Sequence, residues 1–463
     1  MKPILVSALL AASLGLAHAQ APQPTAASAQ EAGAADSSQQ LEAKIAAVDD
    51  LQTLSQLVAY YRQTGDVAAE LAALDRRIAL RPHIGAFKLD KAVTLAREDR
   101  KSEAYTLLID QQNAGYAYDL RNDSRFAKIA DTEVWNYLVD NFDLNRKPFG
   151  EARLAYTLPR EDLLLESAAF DASRKQLLVG SAREGKVYAV GEGGKLTQIA
   201  AADAENGMWA VFDLAVDAQR GVLWVASTAV PHFRNYKPES DLGRAGVFKF
   251  DLKTGKFLKS YLSPVVPGQA FILSSIALGK DGEVYVADGV NRAIYQVRDD
   301  QFRRILHAPK LGSISSLAVS DDGKRLYMAD PERGVLGITL ATAQPFDVRV
   351  PEKLSLEGIS SLRTLGNDLV IVQSGMNPPR VLRLPLSPEG NTVVGVRPIE
   401  ANNPQFGKLG EATLDGSTLY LIANEQKDNY DRFGLLKSKD RLEGTRILRM
   451  DANFQSDDPS AVK

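Results

Sequence analysis

Residues 273–288, LSSIALGKDGEVYVAD, decide the reading of this chain. A short apolar strand runs into an Asp-Gly turn and then into a second, more apolar strand. The Asp281-Gly282 pair suits the positive backbone angles of a tight hairpin. The same plan returns as LESAAFDASRKQLLVGS from Leu165, VFDLAVDAQRGVLWVAS from Val211 and ISSLAVSDDGKRLYMAD from Ile314. Two more copies, ISSLRTLGNDLVIVQS from Ile359 and LGEATLDGSTLYLIAN from Leu409, complete six. Asp171, Asp217, Gly279, Ser320, Leu365 and Asp415 mark the turns, roughly 40 to 60 residues apart, and strand-only repeats of that length are propeller blades. The expectation is therefore an all-β six-bladed β-propeller over residues 148–455. Arg153–Leu158 (RLAYTL) reads as an outermost strand, and the last repeat lacks one of its own. We assign this segment to the sixth blade, where it closes the ring and removes unpaired edges.

Upstream the apolar period becomes helical. Leu51, Leu54, Leu57, Val58 and Tyr61 recur at three and four, with a break at Thr64-Gly65-Asp66. A second helix, Val67 to Leu80, stops at Arg81-Pro82; Phe87–Ala96 and Ser102–Gln111 repeat the plan around Asp99, and a helical cap follows around Asp123–Asn141. Gly65 and Asp99 lie about 34 residues apart, the tetratricopeptide period. Residues 41–147 thus resemble an all-α tetratricopeptide-like domain preceding the propeller. It offers either a concave groove for a partner or a cap packed on the blades.

The ends have a different character. Met1–Ala19 (MKPILVSALLAASLGLAHA) carries one Lys, an apolar run and an Ala-x-Ala site, the pattern of a signal peptide cut before Gln20. Residues 20–40 are Ala-, Gln-, Ser- and Pro-rich and read as a disordered linker, and 456–463 as a polar tail. The protein is expected to be exported, periplasmic or secreted, with no membrane span in its mature form. It has no cysteine, so no disulfide supports it. A net charge of −3 argues against nucleic acid as a partner.

The innermost strands of a propeller line its channel. Just before each turn marker stand Glu166-Ser167, Phe212-Asp213, Ser274-Ser275, Ser315-Ser316, Ser360-Ser361 and Gly410-Glu411. Asp213, Ser275, Ser316 and Ser361 are candidate ligand-binding residues for a polyhydroxylated molecule. Glu166, Asp213 and Glu411 are candidate ligands for one divalent cation, Ca²⁺, Mg²⁺, Mn²⁺ or Zn²⁺. Small polar residues that merely fit a wet channel give the same pattern. Two long loops, Pro231–Gly246 and Glu425–Gly444, add His232, Arg234, Tyr236 and Tyr430 as further candidates at the mouth. Loop contacts with the helical domain would use the same residues. Only His83, His232 and His307 follow the signal segment, which disfavours a His-rich zinc site or a Ser-His-Asp triad. No phosphate-binding or dinucleotide fingerprint occurs.

VYVADGVNRAIYQV, residues 284–297, resembles an NHL repeat. With GVFKFDLKTGKFLKSY, VQSGMNPPRVLRL and LGEATLDGSTLYLIAN, the span 163–450 is similar to exported bacterial propellers of the senescence-marker-protein/gluconolactonase superfamily. Lactonases of that group hold one divalent metal with Glu, Asn and Asp from channel-lining strands. Glu166, in LLLESAAFD, stands where their Glu would be. Ser315-Ser316-Leu317 replaces their Asn-Gly-Leu, Ser360 replaces the ligating Asp, and Glu357 lies outside that register. The resemblance implies the fold and leaves two functions open. One is binding of a small polar ligand or protein partner at the channel mouth; the other is a metal-dependent lactonase or hydrolase, with Asp213 and Glu411 as compensating oxygen ligands.

Overall fold

The computed structural model describes residues 39–456. The expected signal peptide, nearly all of the linker and nearly all of the polar tail lie outside the described residues. The chain separates into two compact units, divided between Arg76 and Arg77.

The first unit is helical. Helix α1 covers 39–46, α2 Leu51–Thr64, and α3 Val67–Leu80 begins in this unit. Asp50 caps α2 by accepting the Thr53 N–H at 2.6 Å, and Gly65 ends it at φ 78°, where a side chain would be strained. Ile45, Leu54, Val58, Leu71 and Leu74 are buried. Buried Glu70 is matched by Arg62 at 2.7 Å.

The second unit begins with α4 (Gly85–Arg97), α5 (Lys101–Asn113) and α6 (Glu133–Asn145) and continues into the propeller. Thr132 caps α6 through the Trp135 N–H at 3.1 Å. Polar contacts tie this helical segment to blades four and five. Glu357 Oε2 accepts the Tyr116 hydroxyl at 2.5 Å and the Gly85 N–H at 3.1 Å. Arg81 pairs with Glu332 at 2.8 Å, and the Ala117 N–H reaches the Asn377 carbonyl at 2.9 Å. Burial, with Lys88 nearby, pushes the His83 imidazole down to about 4, so it is neutral here and its Nδ1 accepts the Leu356 N–H.

Six antiparallel sheets follow, five of four strands and one of five. We label their inner strands β1 (Leu165–Asp171), β2 (Ala210–Asp217), β3 (Leu273–Leu278), β4 (Ser316–Val319), β5 (Ile359–Leu365) and β6 (Ala412–Asp415). The second strands are buried along most of their length, and Val284–Asp288 along all of it, as strands sandwiched between sheets must be. Their apolar sequences follow from that position. Gly323 and Gly416 turn their hairpins at φ 71° and 57°. The sixth sheet takes its outermost strand from Arg153–Thr157, which pairs antiparallel with Arg446–Arg449 and closes the ring. Phe149–Gly150 adds the fifth strand to blade five. Among the described residues no helix is long and apolar enough to cross a membrane.

Candidate functional site

A β-bulge opens most of the inner strands. The pairing register slips at Glu166 in β1, Phe212 in β2, Ser274 in β3 and Ser360 in β5. A bulge re-aims the extra residue and is frequent beside functional sites. Here the bulged residues, with Ser315 and Gly410 from the other two blades, line a cavity of about 540 Å³ at the channel mouth. Every blade therefore contributes one residue to one wall. Lys408, Glu425 and Lys427 complete the rim, and Glu411 also reaches the cavity.

In blades two to five the next residue of the inner strand bonds the scaffold. Ser275 Oγ accepts the Leu317 N–H of the following blade at 3.0 Å. Ser316 Oγ does the same for Leu362 at 3.0 Å, and Ser361 Oγ for Ala412 at 3.2 Å. Asp213 Oδ2 accepts the Ile276 N–H at 2.8 Å, while its Oδ1 takes the Leu214 N–H at 2.8 Å. These buried side chains stitch the inner strands together from β2 to β6, whereas the Ser167 hydroxyl in β1 is buried without a partner. Their hydroxyl and carboxylate oxygens are engaged by the scaffold, and the cavity meets Ser274, Ser315 and Ser360 in their place.

Charge is concentrated at one side of the mouth. Glu166 Oε1 is buried without a hydrogen-bond partner, and the Lys427 ammonium stands 3.9 Å away, beyond hydrogen-bond reach. Burial raises the Glu166 carboxyl to about 7; Lys427 and Lys408 oppose the shift and Glu425 adds to it. Lys427 also lies 5.7 Å above the Phe212 ring, and Lys408 is 3.7 Å from Glu425. Ser274 and Ser315 donate their hydroxyls to the Ile314 and Ile359 carbonyls, both at 2.8 Å, which turns their oxygen lone pairs outward as acceptors.

At the floor, Glu411 Oε1 accepts Arg363 Nη2 at 2.6 Å, the Ala412 N–H at 3.1 Å and the Ser361 hydroxyl. Arg363 faces a smaller cavity of about 280 Å³ at the opposite end. Asp213 is raised by its own burial and by the Glu411 charge, with Arg363 and two backbone N–H groups opposing. Glu166, Asp213 and Glu411 thus do not form a cation cage. Asp213 has both oxygens and Glu411 its Oε1 in scaffold bonds, and among the described residues no three His, Asp or Glu side chains converge as metal ligands.

The loop candidates form a brace. Asp162, just ahead of β1, accepts Arg183 at 2.9 Å, Arg234 at 3.2 Å and the Tyr430 hydroxyl at 2.5 Å. Arg234 also pairs with Glu184 at 3.0 Å. His232 packs edge-on against Tyr430 at 6.0 Å, and Tyr236 lies partly buried on the blade-two core. Tyr430 is itself buried. None of His232, Arg234, Tyr236 and Tyr430 lines the mouth cavity; Arg234 faces a separate surface cavity of about 490 Å³. What these loops bring to the mouth is Glu425 and Lys427, a carboxylate and an ammonium two residues apart in EQK.

No family model matches the chain, and no curated protein matches it. Among solved structures the chain is similar to the PQQ-bound aldose sugar dehydrogenase of Streptomyces coelicolor, at 16% identity over 66% of this chain and 99% of that one, with a TM-score of 0.44. A gluconolactonase of Xanthomonas campestris aligns at 14% identity over 66% and 91% of the two chains, with a TM-score of 0.43. A luciferin-regenerating enzyme aligns at 14% identity over 67% and 98%, with a TM-score of 0.44.

Proposed function

We propose that this protein is an exported binding protein whose channel mouth receives a small, hydroxyl-rich polar ligand. The observation that carries the reading is Glu166: a buried carboxyl oxygen without a hydrogen-bond partner, presented by a bulge in a concave cavity. A ligand hydroxyl would satisfy it. The rest of the wall asks for the same chemistry. Outward-facing serine oxygens accept hydrogen bonds, Lys408 and Lys427 donate them, and the Phe212 ring offers a flat apolar platform for a sugar-like face. A volume of about 540 Å³ suits a small molecule and is too narrow for a folded partner. Export rests on the composition of residues 1–19, and α2–α5 are read as two tetratricopeptide-like units on their helical period. The competing reading, a metal-dependent lactonase, needs several oxygen ligands converging on one point, and among the described residues no three His, Asp or Glu side chains do so.

Calorimetric titration with a panel of hexoses, hexonates and inositols tests the proposal. We expect one class to bind saturably, and Glu166→Gln and Lys427→Ala each to weaken it by tenfold or more while the fold is kept. Affinity unchanged in both variants, or no member of the panel binding, would overturn this assignment of the mouth.

A further inference from the structure

A second cavity, of about 520 Å³, lies away from the channel, where α5 and α6 meet blade five and the segment leading into it. Its wall is largely apolar and includes Ile109, Val134, Leu138, Leu354, Leu382 and Pro398. Among the described residues, Lys353 and Arg380 are the charged residues on that wall, and no carboxylate lines it. Lys353 is exposed at the edge, and Arg380 is buried.

The setting of Arg380 is unusual. Its Nε donates to Gln373 at 2.8 Å, Nη1 to the Ala114 carbonyl at 3.0 Å and Nη2 to the Ser355 carbonyl at 3.2 Å. All three partners are neutral. A guanidinium carries five N–H groups, so each terminal nitrogen keeps one N–H for another acceptor, the fork that recognises a carboxylate. Gly115 makes the approach possible: at φ 88°, a Cβ there would stand 2.3 Å from Arg380 Nη1. Burial lowers the guanidinium to about 10, and it remains cationic at neutral pH. A buried cation without a counter-charge is costly to maintain, and an anion beside it removes that cost.

We propose that this cavity is a second ligand site, which takes a small amphipathic carboxylate. The anionic end meets Arg380 and Lys353, and the apolar body lies along Leu138, Leu354 and Leu382. Volume and lining both suit such a molecule, since ligand pockets are mostly apolar with a few placed polar groups. The site is independent of Glu166 and of the proposal for the channel mouth.

The test uses two isosteric probes, 2-naphthylacetate and 2-naphthylacetamide, titrated calorimetrically into the full chain. The acetate is expected to bind at least tenfold more tightly than the amide. Lys353→Glu, an exposed change that leaves the core intact, should weaken the acetate fivefold or more, and Arg380→Gln should remove the preference for charge. Glu166→Gln should leave acetate binding unaltered. Hydrogen exchange should show the acetate protecting residues 109–114 and 134–141. Equal affinity for the two probes, indifference to Lys353→Glu, or protection confined to other segments would overturn the proposal. Should Arg380→Gln fail to fold, Lys353→Glu and the exchange pattern still decide it.

Discussion

Glu166 shows how one residue acquires a property that its neighbours lack. It stands one position from Ser167 on the same strand, yet the bulge turns it into the cavity, where burial keeps its proton to about pH 7. In the unfolded chain the group ionises near the ordinary 4.5. Between those values the native state holds more protons than the unfolded one, so this contribution to stability is full below about pH 4.5 and is lost as pH rises through 7. A glutamine does not titrate. Glu166→Gln should therefore gain on the wild type between pH 5 and pH 8, by up to about 3 kcal/mol. Urea melts at the two pH values read the difference, and a gap that does not change with pH would contradict the raised carboxyl.

The inner strand is the element in which scaffold and site are divided. Its opening residue faces the cavity, and in blades two to five the following residue bonds the next blade. Ser316→Ala should cost about 1–3 kcal/mol, because it leaves the buried Leu362 N–H without an acceptor. Ser274→Ala, on the cavity side, should cost less than about 1 kcal/mol, since the space its hydroxyl vacates opens onto the cavity and admits a water in its place. Denaturant midpoints for the pair measure this. Equal losses would mean that the two faces of the strand do not differ in role. At the same scale, Asp162 organises the loops: three side chains from separate segments end on one carboxylate, which Arg183 and the other donors hold below its usual range against the opposing effect of burial. Nothing in the local sequence marks it, because its partners lie far along the chain.

At the scale of the molecule, the propeller is closed by a strand that precedes it in the sequence, and α4–α6 belong to the same compact unit as the blades. A chain beginning at residue 148 keeps the closing strand but loses Tyr116, the Gly85 N–H and the Ala114 carbonyl, which serve Glu357 and Arg380. It also uncovers apolar wall such as Leu382. Its melting temperature should fall below that of the full chain by several degrees, on the order of 1–2 °C for each kcal/mol lost. Calorimetry of the two chains checks this, and identical propeller transitions would show that the helical segment adds nothing to the blades.

The blade repeat, the Asp-Gly hairpins and the switch to helical period were legible because they rest on local chemistry. Apolar alternation follows the side-chain period of a strand, and Gly323 or Gly416 supplies a backbone angle that other residues resist. The six residue pairs that open the inner strands were equally visible, and so was the position of Glu166. Which member of each pair faces the cavity was not, because a bulge arises from how two strands pair and leaves no mark on one strand alone. The engagement of Ser275, Ser316, Ser361 and Asp213 with the next blade, the joining of Asp162 to Arg234 and Tyr430, and the unneutralised charge of Arg380 all depend on residues brought together by closure of the ring or docking of the helices. The sequence by itself determined the blades and the polar character of the mouth. Only the tertiary structure decided which atoms remain free to meet a ligand, since that freedom is whatever the long-range hydrogen bonds leave over.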